Sequence, residues 1–160
     1  MIARLLRAWL LTAAVDGLFS SALSAFAYGS TVAQLWRGVA STALGPGIFG
    51  GLGPGMQVAA GLMVHAFVAL AWSTIFLIVF DRVSALRRIA DSAGGVFKIA
   101  IVYGPLIWVV MSAVVIPMRT GRPPAITYRW WVQFVGHAVF VGWPIVAMIA
   151  SGRPRQRAID

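Results

Sequence analysis

Three ionisable side chains stand inside otherwise apolar runs of this chain: Asp16, His65 and His137. A carboxylate and two imidazoles can do several kinds of chemistry. The two histidines could ligate a haem iron from facing helices. Together with Asp16 they make a donor set suited to a divalent transition metal, although no HxxxH or HxxE spacing accompanies them. The three could relay protons, or bind a small solute or ion within a membrane for holding or permeation. They could also do nothing chemical and hold helices in register by satisfying one another's hydrogen bonds, as in a structural or accessory membrane subunit. Wider chemistry is closed off. The chain has no cysteine, which removes disulfides, iron–sulfur clusters and thiolate catalysis. It has no Glu, and its acids are Asp16, Asp81, Asp91 and Asp160, so paired-carboxylate catalysis has almost no material. With no nucleophile–base pair and no metal motif in view, catalysis is not expected.

The elements that must position these groups follow from hydropathy. The chain is 60% hydrophobic and 11% charged, with a mean hydropathy of +0.87. An ordinary soluble domain carries about 25% charged residues. The clearest apolar run is Met56–Phe80, MQVAAGLMVHAFVALAWSTIFLIVF, which carries no formal charge and stops at Asp81-Arg82. As a helix it is ~37 Å long, enough to cross a ~30 Å hydrocarbon core. Comparable runs cover about 5–28, 96–116 and 131–150. The expected fold is therefore all-α: an integral membrane four-helix bundle forming a single membrane domain over 1–160. The first run also resembles a signal peptide, with a basic start and Ala25-Phe26-Ala27 as a cleavage site. Asp16 interrupts its apolar core and the run is long for a signal, so it is expected to be retained as a span.

Between the first two runs, Ser30–Leu44 has helical spacing, with Trp36 and Arg37 suited to an interface. The following GPGIFGGLGPG carries six glycines and two prolines, and is expected to break the helix. A short interfacial helix followed by a turn is the expectation for this stretch. A basic loop, DRVSALRRIADSAGG, joins the second and third runs. Gly104-Pro105 suggests a kink in the third run, and Pro117 closes it. Tyr128, Trp130 and Trp131 form an aromatic cluster of the kind found at a membrane–water interface. A basic tail covers 151–160.

Four spans put both termini on one side. Arg4, Arg7, Arg82, Arg87, Arg88, Lys98, Arg153, Arg155 and Arg157 then share that side, while Arg37, Arg119, Arg122 and Arg129 lie on the other. Nine against four places both termini in the cytoplasm. The net charge of +9 is then expected to meet anionic lipid headgroups rather than nucleic acid. A homo-oligomer or a membrane partner subunit is compatible with the chain.

With alternating spans, His65 and His137 enter from the outer side at depths of ~12 and ~9 Å, and Asp16 lies ~18 Å deep, about one turn below His65. Thr12, Asp16, Ser20 and Ser24 recur every four residues and form one polar stripe on the first helix, with the small residues Ala13, Gly17 and Ser21 beside it. Gln133 lies four residues before His137, on the same face. Asp16, His65, His137, Ser20 and Gln133 are thus the candidate lining of an intramembrane polar pocket. In the third run, Tyr103 and Ser112 are polar but do not share one face. Trp72, Trp108 and Trp143 are expected to act in packing or as interface anchors.

Several short patterns occur together: Trp36…Val39-Ala40-Ser41…Gly45, Gly61-Leu62-x-x-His65-x-Phe67, Tyr103-Gly104, Val115-Ile116-Pro117, and Gly136-His137…Gly142-x-Pro144. In these the chain resembles a family of small uncharacterised bacterial membrane proteins of four spans, over most of its length from Asp16 to Pro144. The resemblance implies fold and membrane location and brings no activity. Relatives of that kind often carry Asn at the place of Ser112.

Overall fold

The computed structural model describes residues 1–152, so the basic tail expected over 151–160 falls, from Arg153 onward, outside the described residues. Every regular element among the described residues is helical. Four helices are long and apolar enough to cross a membrane: α1 (Ile2–Ala27), α3 (Pro54–Arg82), α5 (Gly95–Thr120) and α6 (Tyr128–Ser151). Two further helices connect them, α2 (Val32–Gly50) and α4 (Ser84–Asp91).

The start of α2 is fixed by a reciprocal cap. The Thr31 hydroxyl accepts from the Gln34 N–H at 3.1 Å, and the Gln34 side-chain oxygen accepts from the Thr31 N–H at 2.8 Å. Two otherwise orphaned donors are thereby satisfied. The helix breaks at Gly45, where φ is 75° and ψ is 167°. Instead of an uninterrupted turn over 45–55, a helical stretch then resumes from Pro46 to Gly50. Proline suits a first helical position, where its missing N–H has no intrahelical partner to lose. Gln57 closes the remaining turn: its Nε2 donates to the carbonyls of Phe49 and Leu52, and its Oε1 accepts from Arg37 Nε at 2.7 Å.

Trp36 is only 4% exposed and so packs within the protein. The cause lies in α3. A Cβ at Gly61 would collide with the Trp36 backbone carbonyl, so the two helices touch backbone to backbone at that point. The same device brings α5 and α6 together. Side chains at Gly104 or Gly142 would run into the carbonyls of His137 and Ala100 respectively. Small residues let apolar helices approach this closely, and dispersion between their backbones is the gain.

Two prolines in the second half of the bundle, Pro117 and Pro144, are each preceded by a widened turn. In α5 the Ile116 N–H bonds to the Met111 carbonyl just before Pro117, and in α6 the Trp143 N–H bonds to Ala138 just before Pro144. An i→i+5 turn relieves the clash between a proline ring and the carbonyl four residues earlier. The helix runs on through Gly104-Pro105.

The apolar core lies at one end of the bundle, built from Ala8, Phe76, Leu77, Phe80, Ile99, Ala100, Ile145, Val146 and Ile149, with Ile107 and Val141 above them. Arg4 ties this end together. Its guanidinium makes a two-pronged bond to Asp81 at 3.1 and 2.9 Å and reaches the Ile149 carbonyl, so the start of α1 meets the ends of α3 and α6. The basic loop expected after Asp81 contains the helix α4. Its Arg87 donates to the carbonyls of Phe80 and Asp81 and so completes the end of α3.

Two glycine substitutions should move stability in opposite directions. Gly104→Val should cost at least about 3 kcal/mol, because the collision is with backbone and no rotamer relieves it. Gly38→Ala, where a Cβ meets nothing within 4 Å, should stabilise by about 0.5–1 kcal/mol through helix propensity. Thermal unfolding of both variants in detergent measures the pair.

Candidate functional site

The polar stripe of α1 turns inward. Thr12, Asp16 and Ser24 are 1%, 9% and 3% exposed, and Ser20 is half-buried beside them. One cavity of about 810 Å³ gathers these four with His65, Gln133 and His137. All five candidate residues, Asp16, Ser20, His65, Gln133 and His137, therefore line one space. Its floor is the apolar pair Ile107 and Val141, which also cap the core. Its mouth, at the opposite end from the Arg4–Asp81 pair, includes Tyr28, Gln34, Arg119 and Arg129.

Each histidine is held by a backbone carbonyl and by a tryptophan. His65 Nε2 lies 3.0 Å from the Ala13 carbonyl of α1, and the ring packs 5.1 Å from Trp36. Gly17, one turn along α1, makes room for this, since a Cβ there would sit 3.4 Å from His65 Nε2. His137 Nδ1 lies 2.7 Å from the carbonyl of Gln133 on its own helix, and its ring packs 4.9 Å from Trp108. A carbonyl only accepts, so Nε2 of His65 and Nδ1 of His137 are the protonated nitrogens.

Asp16 faces the other nitrogen of His65. Its Oδ2 lies 3.8 Å from His65 Nδ1, the nitrogen left with a lone pair in the neutral ring. A carboxylate facing a lone pair gains nothing, so the arrangement calls for one further proton on the pair. Whether it resides on the imidazole or on the carboxyl, the pair is then neutral as a unit, and a neutral pair is far cheaper to bury than a lone charge.

Four polar atoms on the cavity wall are buried without a hydrogen-bond partner within the protein: Thr12 Oγ1, Asp16 Oδ1, Trp108 Nε1 and Gln133 Oε1. Two are from α1, one from α5 and one from α6. Tyr28 Oη, near the mouth, is in the same condition. Burial and the neighbouring Tyr128 hold the Tyr28 phenol above its usual value against the opposing pull of Arg129, so it stays a neutral O–H donor near pH 7.

His65 Nε2 is bonded to the Ala13 carbonyl, while its Nδ1 lies 3.8 Å from Asp16 Oδ2, beyond hydrogen-bond distance. Among the described residues no three of His, Cys, Asp and Glu come together as a metal-ligating group. The polar residues of α5 serve packing. Tyr103 donates to the Trp72 carbonyl at 2.8 Å, and Ser112 accepts from Trp130 Nε1 at 3.0 Å.

Trp36, Trp108, Arg119 and Arg129 were not marked as site residues by sequence. The periodicity of α2 gives no sign that Trp36 faces His65. Trp108 follows Tyr103-Gly104 by only a turn, and the glycine contact with α6 is what seats its ring beside His137. Comparison of the chain with protein-family models, curated proteins and solved structures gives no match.

The coupling of Asp16 and His65 is measurable. Asp16→Ala and His65→Ala should each destabilise by about 0.5–2 kcal/mol, and the double variant should lose clearly less than the sum. A double-mutant cycle on unfolding in detergent gives the value.

Proposed function

We propose that this protein is a multi-pass bacterial inner-membrane protein, with both termini cytoplasmic, that binds a small polar solute or ion from the outer side. Asp16, His65 and His137, with Ser20 and Gln133, form the binding cavity. The observation that carries the proposal is the convergence of four unpartnered buried polar atoms on one wall. Buried polar groups are normally hydrogen-bonded, and a group of them around one space calls for a polar occupant. The donor and acceptor mix suits a neutral or zwitterionic molecule: Trp108 Nε1 can only donate and Gln133 Oε1 can only accept, while Thr12 does both.

The apolar floor argues for binding in preference to an open channel. The cluster beneath Ile107 and Val141 is built of apolar side chains, with the hydroxyl of Ser73 buried beside it. Permeation would need α5 and α6 to part at their glycine contacts. At the other end of the molecule, Arg7, Arg82, Arg88 and Lys98 are placed to meet anionic headgroups on the cytoplasmic face.

A packing role for the same residues, in an accessory subunit, draws on one specific observation: His65 bonds the Ala13 backbone of a different helix. A ligand screen decides between the two. Unfolding of the detergent-purified chain is followed in the presence of small amino acids, polyols, amides and monovalent cations. Saturable stabilisation by one of them, weakened about tenfold or more in Asp16→Asn, supports binding. Stability that responds to none of them, yet falls in Asp16→Ala and His65→Ala, supports packing.

A further inference from the structure

A second cavity, of about 740 Å³, opens beside the mouth of the first. The two share Thr42, Trp108, Ile116, Arg119, Arg129 and Gln133, so the outer space leads into the inner one. Its wall holds three guanidinium groups, Arg119, Arg122 and Arg129, and no carboxylate. That imbalance is not compensated nearby. Asp81 is paired with Arg4, and Asp91 ends α4 at the same far end of the bundle.

The three arginines keep donors to spare. Each guanidinium has five N–H groups. Arg119 uses one on the Ala43 carbonyl. Arg129 uses two, on Tyr128 Oη and the Tyr28 carbonyl, and its plane lies 4.6 Å from the Tyr28 ring. Among the described residues the Arg122 guanidinium makes no hydrogen bond or ion pair. The bonds of Arg119 and Arg129 hold two of the forks in place against α2 and the α1 end, which lowers the entropy lost on binding. Positive charge on this side is also the opposite of what sets topology in a membrane protein. Three of the four outer arginines nevertheless line this one space.

We propose that the outer cavity is an oxyanion site, at which Arg119, Arg122 and Arg129 hold a phosphate-type group at the mouth of the inner cavity. Paired N–H donors on planar forks match two oxygens of such a group, and the absence of a nearby carboxylate leaves the field unopposed. The oxyanion is supplied by a free solute or by the headgroup of an anionic lipid. The proposal rests on the outward-facing orientation of the cavity described above, but not on Asp16 or the histidines.

The test uses the full chain in a neutral detergent, titrated with inorganic phosphate against chloride at constant ionic strength. A saturable rise in unfolding temperature is expected, with the apparent affinity about tenfold weaker in R122Q and R119Q and preserved in D16N. R122Q removes a side chain with no bond inside the protein, so its folding is not at stake. A second arm places the chain in nanodiscs of phosphatidylglycerol or phosphatidylcholine. Stabilisation by phosphatidylglycerol that is lost in R122Q, without a response to free phosphate, identifies the lipid as the source. A phosphate effect of equal size in wild type, R119Q and R122Q is general salt stabilisation and overturns the site, as does a lack of response in both arms. A protein that binds phosphate but no solute from the earlier screen loses the inner-cavity function and keeps this site. The reverse result removes only this site.

Discussion

The constraint on which this structure turns is the burial of a carboxylate among apolar helices. Asp16 sits midway along α1 and is 9% exposed. An isolated charge there would cost several kcal/mol or more. His65 stands 3.8 Å from that carboxylate, and the surrounding backbone delivers it there. Gly17 clears the approach to the Ala13 carbonyl, and Gly61, one turn before His65, lets α2 lie against α3 so that Trp36 covers the ring. Residues far apart in the chain are thus tied to a single electrostatic requirement.

The bundle divides along its axis. At the Arg4–Asp81 end it is filled by large aliphatic and aromatic side chains; at the other end the helices enclose two connected cavities. The glycines of α5 and α6 mark the boundary, since Gly104 meets the carbonyl of His137. His137 is therefore positioned by its backbone as much as by its side chain. Cavity and core depend on the same helix crossing, and any change that forces α5 from α6 would disturb both.

Much of this was legible in sequence, for physical reasons that differ from residue to residue. Long apolar runs announce the four helices because a span needs continuous hydropathy. The four-residue recurrence of Thr12, Asp16, Ser20 and Ser24 shows their common face because a helix repeats every 3.6 residues. Simple depth counting puts Asp16 about a turn from His65, and in the structure Asp16 Oδ2 lies 3.8 Å from His65 Nδ1. What sequence could not convey is contact between helices of unknown rotation. That Trp36 packs within the protein depends on Gly61 admitting its backbone, a contact no sequence pattern announces. Residues 84–91 looked like a loop because they are short and basic, yet Arg87 finds the carbonyls at the end of α3 and steadies a helix there. The arginines at the cavity mouth were counted for topology alone, since their convergence depends on how α2, α5 and α6 meet.

The central claim is that the polar cavity opens to the outer side and is sealed below by the apolar core. A chain without cysteine allows a direct measurement. Single cysteines at Ser20, in the cavity, and at Ser73, fully buried toward the core, are treated in intact cells with a membrane-impermeant maleimide. Ser20→Cys should be labelled from outside, and Ser73→Cys should stay unlabelled from either face. Labelling of Ser20→Cys only from the cytoplasmic face, or of neither position, would contradict the account.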